Sequence, residues 1–496
     1  NGKEYIDSMA GLWCVNIGWG REEMVDAIAE QAGKLAYYHS FGSMANEASI
    51  RLADRILRLV PDNMSKVFFG NSGSDANDTN VKLVWYYNNL LGRPEKKKII
   101  SRERGYHGVT VAAASLTGIP MVHNAFDLPL ERMLHTVMPH YYANAEPGMS
   151  ELDFSKWCAA KLEEMILAEG PDTVAAFIAE PVMGAGGVIV PPAGYYAAIK
   201  AVLDQHDIIL IDDEVINGFG RTGEWWGCQS LGMTPTTISA AKQMTAAYAP
   251  LGAVMVPEDI YQAYVDHSAK IGTFGHGFTG SGHPVACAVG LENLKIIEEK
   301  DLMGNAERLE PMFQAGLRKF ADHPLVGEVR GVGLIAGVEL AKDREKREAF
   351  EPAGSMAAKV VALCAEEGLI VRNVYETVAF CPPLIVTEDD ITEILARFGR
   401  ALDRALDYKA PEGGCWQGAY VEVPLGPRKV LGVVWGPGAG DYDPAKVKSA
   451  IRVLDISAMR PAMREFLGRV ADYTLTPMPA MLRLATRAPG LTDPPG

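Results

Sequence analysis

The chain has 496 residues, 48% of them apolar and 22% charged, which is typical of a folded protein with a sizeable core and about two to four domains. Its formal net charge of −15 disfavours nucleic acid as a partner, because an acidic surface repels phosphate groups. The seven cysteines form no Cys-x-x-Cys pair, and no apolar run reaches the roughly 18 residues that a bilayer requires. We therefore expect a cytoplasmic protein with reduced thiols and no membrane partner, and we expect residues to precede Asn1 because the chain does not begin with Met.

Short apolar runs alternate with helical stretches from about residue 65 to residue 257. A helix is expected over 74–89, and the expected strands are 66–69, 98–101, 174–179, 207–211, 237–241 and 252–256. Runs that are apolar on both faces indicate buried strands of a mostly parallel sheet, with helices on both faces as crossovers. Open α/β sheets bind ligands beyond the carboxyl ends of their strands, and the polar residues of this region collect there. We assign residues 46–294 to this large α/β domain.

The pattern changes beyond about residue 295. Helices are expected over 291–300, 306–321, 356–367 and 388–406, and strands over 326–333, 335–340 and 369–372. This mixture predicts a smaller α+β domain over 295–410, which residues 1–45 join. Residues 411–496 hold 11 of the 30 prolines and are slightly basic, so we expect a separate appendage with a hairpin from 421–424 and 430–435, followed by two helical stretches.

Residues 71–77 read Asn-Ser-Gly-Ser-Asp-Ala-Asn between an expected strand and an expected helix. The glycine permits a tight turn, and the free amides of a helix start favour an anion. The segment therefore suits a phosphate group, although a well-capped helix start would use the same residue types.

Asp212, Asp213 and Glu214 follow a strand that is expected to be buried, where acids require a partner. One interpretation is a carboxylate that faces the ring nitrogen of a pyridinium cofactor. The other is the acidic strand of a nucleotide hydrolase, which holds magnesium. That alternative also requires Gly-x-x-x-x-Gly-Lys-Ser/Thr, and no such stretch occurs in the sequence.

Lys242 and Tyr106 lie at two further strand ends. A lysine in a cleft can lose its proton and attack a carbonyl, whereas a lone lysine is more often a solvated charge. Tyr106, in Gly-Tyr-His-Gly, could lie flat on a planar cofactor or pack as a loop aromatic on its own core.

Other site types are not supported. The stretch 218–223, Gly-Phe-Gly-Arg-Thr-Gly, has dinucleotide spacing but is followed by a poor helix start, and its acids precede the glycines. No Gly-x-Ser-x-Gly elbow occurs, which argues against an α/β-hydrolase. The histidines, among them His39, His107, His276 and His283, show no metal-ligand spacing, so no metal is expected.

The order of the motifs resembles that of the class III, or ω-, aminotransferases, whose fold is type I of the pyridoxal-phosphate enzymes. The resemblance covers about residues 1–408. It rests on Asn-Ser-Gly-Ser-Asp-Ala-Asn, Gly-Tyr-His-Gly, Glu-Pro-x-x-Gly-Ala-Gly-Gly, Asp-Glu-Val-x-x-Gly-Phe-Gly-Arg-Thr-Gly, the following lysine and Gly-Phe-Thr-x-Ser-Gly-His-Pro. The amine–pyruvate transaminases, which accept primary amines, are the most similar members.

The resemblance implies pyridoxal 5′-phosphate as the cofactor. Lys242 would hold it as an internal aldimine and later move the substrate's proton, Asp213 would pair with the pyridine nitrogen, and Tyr106 and Val215 would pack on the two ring faces. Two further residues, Gly73 and Ser74, would bind the phosphate.

Thr279 would reach that phosphate from the second subunit, which implies a homodimer. Trp13, Phe41 and Ala185 would line the substrate pocket. Arg372 would bind the carboxylate of a keto acid, for which we expect pyruvate, and would swing aside for an apolar amine. The implied reaction is a ping-pong transamination between an amine donor and a keto-acid acceptor.

Two alternatives remain open. A decarboxylase or racemase of the same fold would share most of these residues. From another class, residues 421–428 and 473–477 resemble the N-terminal part of a primosomal replication helicase, so the appendage could make the chain a DNA-associated interaction protein.

Overall fold

The computed structural model describes residues 2–271, 274–405, 408–425, 428–436, 449–474 and 482. Within these residues the strands are, in chain order, β1 (Ile6–Asp7), β2 (Met64–Gly70), β3 (Lys98–Arg102), β4 (Met133–Thr136), β5 (Val174–Ala179), β6 (Ile209–Asp213), β7 (Thr237–Ala240), β8 (Gly252–Pro257), β9 (Val326–Val332), β10 (Ile335–Leu340), β11 (Leu369–Ile370), β12 (Arg372–Val374), β13 (Thr377–Phe380), β14 (Tyr420–Leu425), β15 (Arg428–Val433) and β16 (Arg452–Val453). The α-helices are α1 (Ala10–Trp13), α2 (Glu22–Lys34), α3 (Glu47–Leu57), α4 (Gly73–Leu90), α5 (Val111–Leu116), α6 (Tyr141–Asn144), α7 (Glu151–Glu169), α8 (Tyr195–Gln205), α9 (Gly227–Leu231), α10 (Glu258–Ile271), α11 (Pro284–Glu299), α12 (Leu302–Arg318), α13 (Ser355–Glu366), α14 (Glu388–Arg404) and α15 (Pro461–Thr474).

The largest sheet has seven strands in the order β2-β8-β7-β6-β5-β3-β4. Strand β8 runs antiparallel to both of its neighbours, and the remaining pairs are parallel. This confirms the α/β class with a mixed, mostly parallel sheet. The strand β4 at the edge was not expected from the sequence, because its four residues carry little apolar pattern of their own.

Both faces of this sheet are covered. Successive residues of one strand point to opposite faces, so Phe177 and Leu210 enter the main core while Ile178 and Ile211 pack in a second core with residues of α4. Burial on both faces explains why the strands read as unbroken apolar runs.

Two of the differences between expected and observed strands change the pairing of candidate site residues. Strand β6 was expected to end before the acidic residues, but it continues through Asp212 and Asp213, which pair with Ile238 and Ser239 of β7. The expected strand 369–372 is two strands, because residues 369–370 pair with β1 whereas β12 pairs with β13.

A four-stranded antiparallel sheet, in the order β12-β13-β10-β9, forms the centre of the smaller unit. The N-terminal segment reaches this unit through β1, and the Cys381 amide donates to the Ser8 carbonyl at 2.7 Å.

The appendage contains the antiparallel β14–β15 hairpin, with β16 on the other edge of β14, and helix α15. The second expected helical stretch and most of the stretch 473–477 lie outside the described residues. Among the described residues, no helix has both the length and the apolar character needed to cross a bilayer. The division at 45, 294 and 410 stays a prediction.

Candidate active site

A cavity of about 370 Å³ lies beyond the carboxyl ends of the central parallel strands, beside the start of α4. Six of the residues singled out in the sequence line its wall, and they are Gly73, Ser74, Tyr106, Asp213, Val215 and Lys242. They come from separate strand ends and one helix start, so the fold collects residues that are more than 160 positions apart in the chain.

Lys242 follows β7 with a backbone φ of 42°, in the left-handed region that a residue with a side chain rarely adopts. Strained backbone of this kind persists where surrounding structure holds it and is common at functional sites. Burial lowers the pKa of the Lys242 amine below its usual value, and the charges of Asp213 and Glu180 oppose that shift. A larger share of the amine is therefore neutral and able to attack a carbonyl carbon.

Asp213 is held by three hydrogen-bond donors. Its Oδ2 atom accepts from Asn77 Nδ2 at 2.7 Å and from His107 Nδ1 at 2.8 Å, and its Oδ1 atom accepts from the Val215 amide at 3.1 Å. The side chain is buried, since the residue is only 1% exposed. These contacts leave the carboxylate little freedom, so its position beside the cavity is set by the fold.

The first turn of α4 offers free amides to the cavity. Ser72 caps the helix by accepting from the Asp75 amide, and the Asp75 side chain accepts from the Ser72 amide in return. The first intrahelical donor is Ala76, whose amide bonds to the Ser72 carbonyl at 3.1 Å. The amides of Gly73 and Ser74 therefore precede the helical ladder, and such amides bind anions together with the helix dipole.

Two glycines at this end of the cavity are required by close approaches. A Cβ at Gly73 would lie 2.9 Å from Val215 Cγ2, and a Cβ at Gly108, whose φ is +131°, would lie 2.5 Å from Ser74 Oγ. Any larger residue would push the loop after β6, or the loop after β3, away from the helix start.

Glu180 also lines the cavity, although no role was predicted for it. Its Oε1 atom accepts from the Tyr106 amide at 3.0 Å, and its Oε2 atom accepts from the Gly184 amide at 2.9 Å. Burial raises the pKa of Glu180, and burial also raises the pKa of Tyr106. An acid directly after a fully buried strand was the available signal, since such a residue requires donors.

The N-terminal segment contributes different residues from those expected. Trp13, which was expected in the substrate pocket, is 2% exposed and packs in a core cluster with Met9 and Ile335. The cavity wall instead contains its neighbours Leu12 and Cys14. The segment turns sharply here, with Trp13 at a φ of 61°, so sequence adjacency did not indicate which side chain faces the cavity.

The remaining predicted residues lie outside the cavity wall. Phe41 and Thr279 are exposed, and the Thr279 carbonyl accepts from the Tyr37 hydroxyl at 3.0 Å. Arg372 is exposed on β12, and its charge acts on the Tyr106 hydroxyl, lowering the pKa that burial raises. Ala185 lies in the loop after β5.

The residues present fit a phosphorylated, ring-shaped aldehyde. A phosphate suits the free amides of α4, a protonated ring nitrogen suits the Asp213 carboxylate, and an aldehyde suits the Lys242 amine. The two described groups that could hold a metal ion are His140 with Glu328 and Glu339, and Asp212 with Glu214 and Cys228. In the first group Arg330 already bonds to both glutamates at 2.7 Å.

Comparison with known proteins agrees with this site. A family model described as aminotransferase class-III matches residues 1–402, and a model described as a 3′DNA-binding domain matches residues 395–487. The diaminobutyrate–2-oxoglutarate transaminase of Halomonas elongata is 49% identical over 418 residues, covering 83% of this chain and 89% of that protein.

Two solved structures are similar throughout the same region. The omega transaminase from Pseudomonas jessenii in complex with PMP is 50% identical with a TM-score of 0.80, covering 82% of this chain and 89% of that chain. A transaminase solved with L-alanine is 51% identical with a TM-score of 0.80, covering 81% of this chain and 95% of that chain.

Proposed function

We propose a specific reaction for this chain, which belongs to the class III aminotransferases and is a pyridoxal-phosphate-dependent transaminase of fold type I. The amino group of a primary amine or ω-amino compound moves to a keto acid, with pyruvate as the preferred acceptor, in a ping-pong sequence. The proposal rests on one observation above all, the lysine, buried carboxylate and free helix start that surround a single cavity.

When bound, pyridoxal phosphate supplies an electron sink for negative charge at the amine carbon. Lys242 would hold the cofactor through its aldehyde carbon, and its freed amine would move the proton from the substrate's amine carbon to that former aldehyde carbon. Asp213 would keep the ring nitrogen protonated, and the amides of Gly73 and Ser74 would hold the phosphate. Tyr106 and Val215 would contact the two ring faces.

The surroundings of Arg372 support a keto acid as the acceptor. Among the described residues no carboxylate lies within ion-pair distance of Arg372, so its guanidinium is available for a substrate carboxylate. Relatives give two acceptor candidates, since one is named for 2-oxoglutarate and another was solved with alanine, the product of pyruvate amination.

The test is an absorbance scan of the purified protein, before and after a primary amine and then either keto acid are added. We expect the visible band of the bound cofactor to disappear with the amine and return with pyruvate, while alanine accumulates in a one-to-one ratio with the carbonyl product. Release of carbon dioxide would indicate a decarboxylase, and loss of optical activity alone would indicate a racemase. Faster return with 2-oxoglutarate would contradict the pyruvate assignment.

A homodimer is part of the proposal. Thr279 does not line the cavity of its own chain, and exposed aromatic residues, Tyr37, Tyr38 and Phe41, lie in the segment that bonds to it. In a dimer Thr279 would reach the phosphate site of the other subunit. Light scattering after size exclusion should give twice the chain mass, and Thr279→Ala should weaken cofactor binding. A monomer with full activity would contradict this assignment.

We place the protein in the cytoplasm, since all seven cysteines are free thiols.

A DNA-associated role is the second candidate function, supported by the match of residues 395–487. In the described part of the appendage Arg452 and Arg469 are paired with glutamates, and the chain as a whole carries a net charge of −15, which repels phosphate groups. A gel shift of the whole chain with single-stranded and 3′-tailed DNA, at stated salt, tests the DNA-associated role. We expect no shift at physiological salt.

A further inference from the structure

The loop from Met183 to Val188 lies beside the cavity and is almost entirely buried. Between Pro181 and Ile189 every residue is buried except Ala185. A Cβ at Gly184 would lie 2.6 Å from Ile216 Cδ1, and Ile216 lines the cavity. Ala185 is therefore the one side chain of this loop that is not closed in by its surroundings.

Arg330 holds this loop from the smaller unit. It lies on β9 and is 9% exposed, and its Nε atom donates to the Val188 carbonyl at 2.9 Å while Nη2 donates to the Gly187 carbonyl at 2.5 Å. Gly187 has a φ of +117°, and a Cβ there would lie 3.3 Å from Arg330 Nη2. A side chain at Gly187 would be strained by this φ and would have to displace the guanidinium slightly, so the loop backbone packs closely against Arg330.

The guanidinium is itself fixed on its other side. Nη1 lies 2.7 Å from both Glu328 Oε2 and Glu339 Oε2, and Nη2 donates to Thr377 Oγ1 at 2.9 Å. His140 Nε2 lies 3.0 Å from Glu328 Oε2 and connects the same network to the large domain. A planar guanidinium with several fixed partners has few alternative positions, and lysine could not replace its fork of donors.

The loop is therefore held at both ends by different units. Glu180 accepts from the Gly184 amide, and Arg330 donates to the carbonyls of Gly187 and Val188. The sheet that carries Arg330 on β9 also carries Arg372 on β12. One sheet thus supports both the loop with Ala185 and the arginine that would bind the acceptor's carboxylate.

We propose that Arg330 is a positioning residue that determines which amines the enzyme accepts, by holding the Ala185 loop against the cavity edge. The inference rests on the proposed function. The loop packs through Gly184 against Ile216, which lines the cavity. An amine with a large substituent would gain space at this wall only if the loop moved away from Ile216. Arg330 opposes that movement through two hydrogen bonds from a charged donor, each of which is among the stronger kinds.

The test compares Arg330→Lys with Arg397→Lys. Lysine at position 330 keeps the charge between Glu328 and Glu339 but loses the fork that reaches the loop. Arg397 is the matched control, because it also bonds a glutamate and a carbonyl, Glu393 Oε1 at 2.7 Å and Gly368 O at 2.8 Å, far from the loop in sequence.

Two measurements are made on each cofactor-loaded variant. In Arg330→Lys we expect faster amide hydrogen exchange in peptides that cover 183–188. We also expect the ratio of kcat/KM for 1-phenylethylamine over 2-aminobutane, with pyruvate as acceptor, to rise about tenfold, as for the loss of about 1.4 kcal/mol of discrimination. The visible cofactor band should stay unchanged. Arg397→Lys should match the wild type in all three.

If Arg330 has a purely structural role, Arg330→Lys will lower the stability without changing the ratio of kcat/KM for the two amines, and that result would overturn the proposal. The proposal would also be overturned if Arg397→Lys changed this ratio as much as Arg330→Lys does. If Arg330→Lys does not fold, Thr377→Val is the alternative variant, because it removes one partner of Arg330 Nη2. It should raise the ratio of kcat/KM for the two amines by a smaller factor, and an unchanged ratio would overturn the proposal. If the wild-type enzyme transaminates neither amine, the proposed function fails, while the exchange measurement still decides whether Arg330 holds the loop.

Discussion

His107 Nδ1 lies 2.8 Å from Asp213 Oδ2, and both side chains are buried in the cavity wall. Because a carboxylate only accepts hydrogen bonds, the imidazole donates from Nδ1. The loop after β3 and the end of β6 are thereby joined at the residue assigned to the cofactor's ring nitrogen. Asn77 of α4 donates to the same oxygen atom, so three elements determine where this carboxylate points.

Asp213→Asn should keep the fold and much of the cofactor binding but lower kcat by about 10²- to 10⁴-fold, because an amide cannot keep the ring nitrogen protonated. The measurement is single-turnover kinetics of the amine half-reaction, with cofactor content determined from absorbance. Retained turnover at full cofactor content would remove Asp213 from its assigned role. His107→Phe, which leaves the carboxylate in place, should have a smaller effect.

Lys242→Ala should abolish the visible band of the bound cofactor and lower turnover by at least about 10²-fold, because no other lysine among the described residues lines the cavity wall. Lys300→Ala, at an exposed lysine that follows α11, is the control and should match the wild type. A Lys242→Ala protein with the wild-type band would show that the cofactor is attached elsewhere.

Arg372→Leu should raise KM for pyruvate by about 10- to 100-fold and leave the half-reaction of an amine without a carboxylate within about twofold. A charged hydrogen-bond pair contributes about 1.5–3 kcal/mol, and only the acceptor has a carboxylate to lose it. Initial rates at varied pyruvate and varied amine separate the two effects. An equal loss in both half-reactions would mean that Arg372 supports the site as a whole.

The buried carboxylate of Asp212 leads to a prediction for how the stability of the protein depends on pH. It is 0% exposed, and its carboxylate lies within 4.8 Å of a carboxylate oxygen of Glu214 and of the Cys228 thiol. Burial, with the charge of Glu214 second, raises the pKa of Asp212 well above its usual range, and burial raises the pKa of Glu214 to about 7. Two acids this close share a proton rather than both ionise.

A raised pKa in the folded state contributes stability that is present below the unfolded pKa, near 4, and is lost as pH rises towards the folded pKa. Asp212→Asn is neutral at every pH and can still donate to Glu214. It should therefore match the wild type near pH 4 and exceed it above, by up to about 1.4 kcal/mol per pH unit in the free energy of unfolding. Denaturant titrations between pH 4 and pH 8 measure this, with exposed Asp266→Asn as the control. Parallel curves for the wild type and Asp212→Asn would contradict a shared proton.

Much of the site could be predicted from the sequence because its signals are local. Three patterns each span only a few residues: a cap followed by a helix at 71–77, acids after an apolar run at 212–214, and a lysine after the next run. The parallel strands of an α/β sheet then bring their carboxyl ends, and these residues, to one edge. Four of the six predicted residues on the cavity wall, Gly73, Ser74, Asp213 and Lys242, belong to these segments, while Val215 directly follows 212–214 and Tyr106 follows the strand Lys98–Arg102.

Contacts between distant segments were decided only by the tertiary structure. Nothing near position 13 in the sequence indicates that Trp13 enters a core while Leu12 and Cys14 face the cavity, because that depends on a sharp turn against residues more than 300 positions away. The same holds for Glu180, whose two acceptor oxygens meet amides from separate loops, and for Arg330, which reaches back 142 positions to Val188. Local chemistry selects the residue types at a strand end, whereas packing alone determines which of them meet.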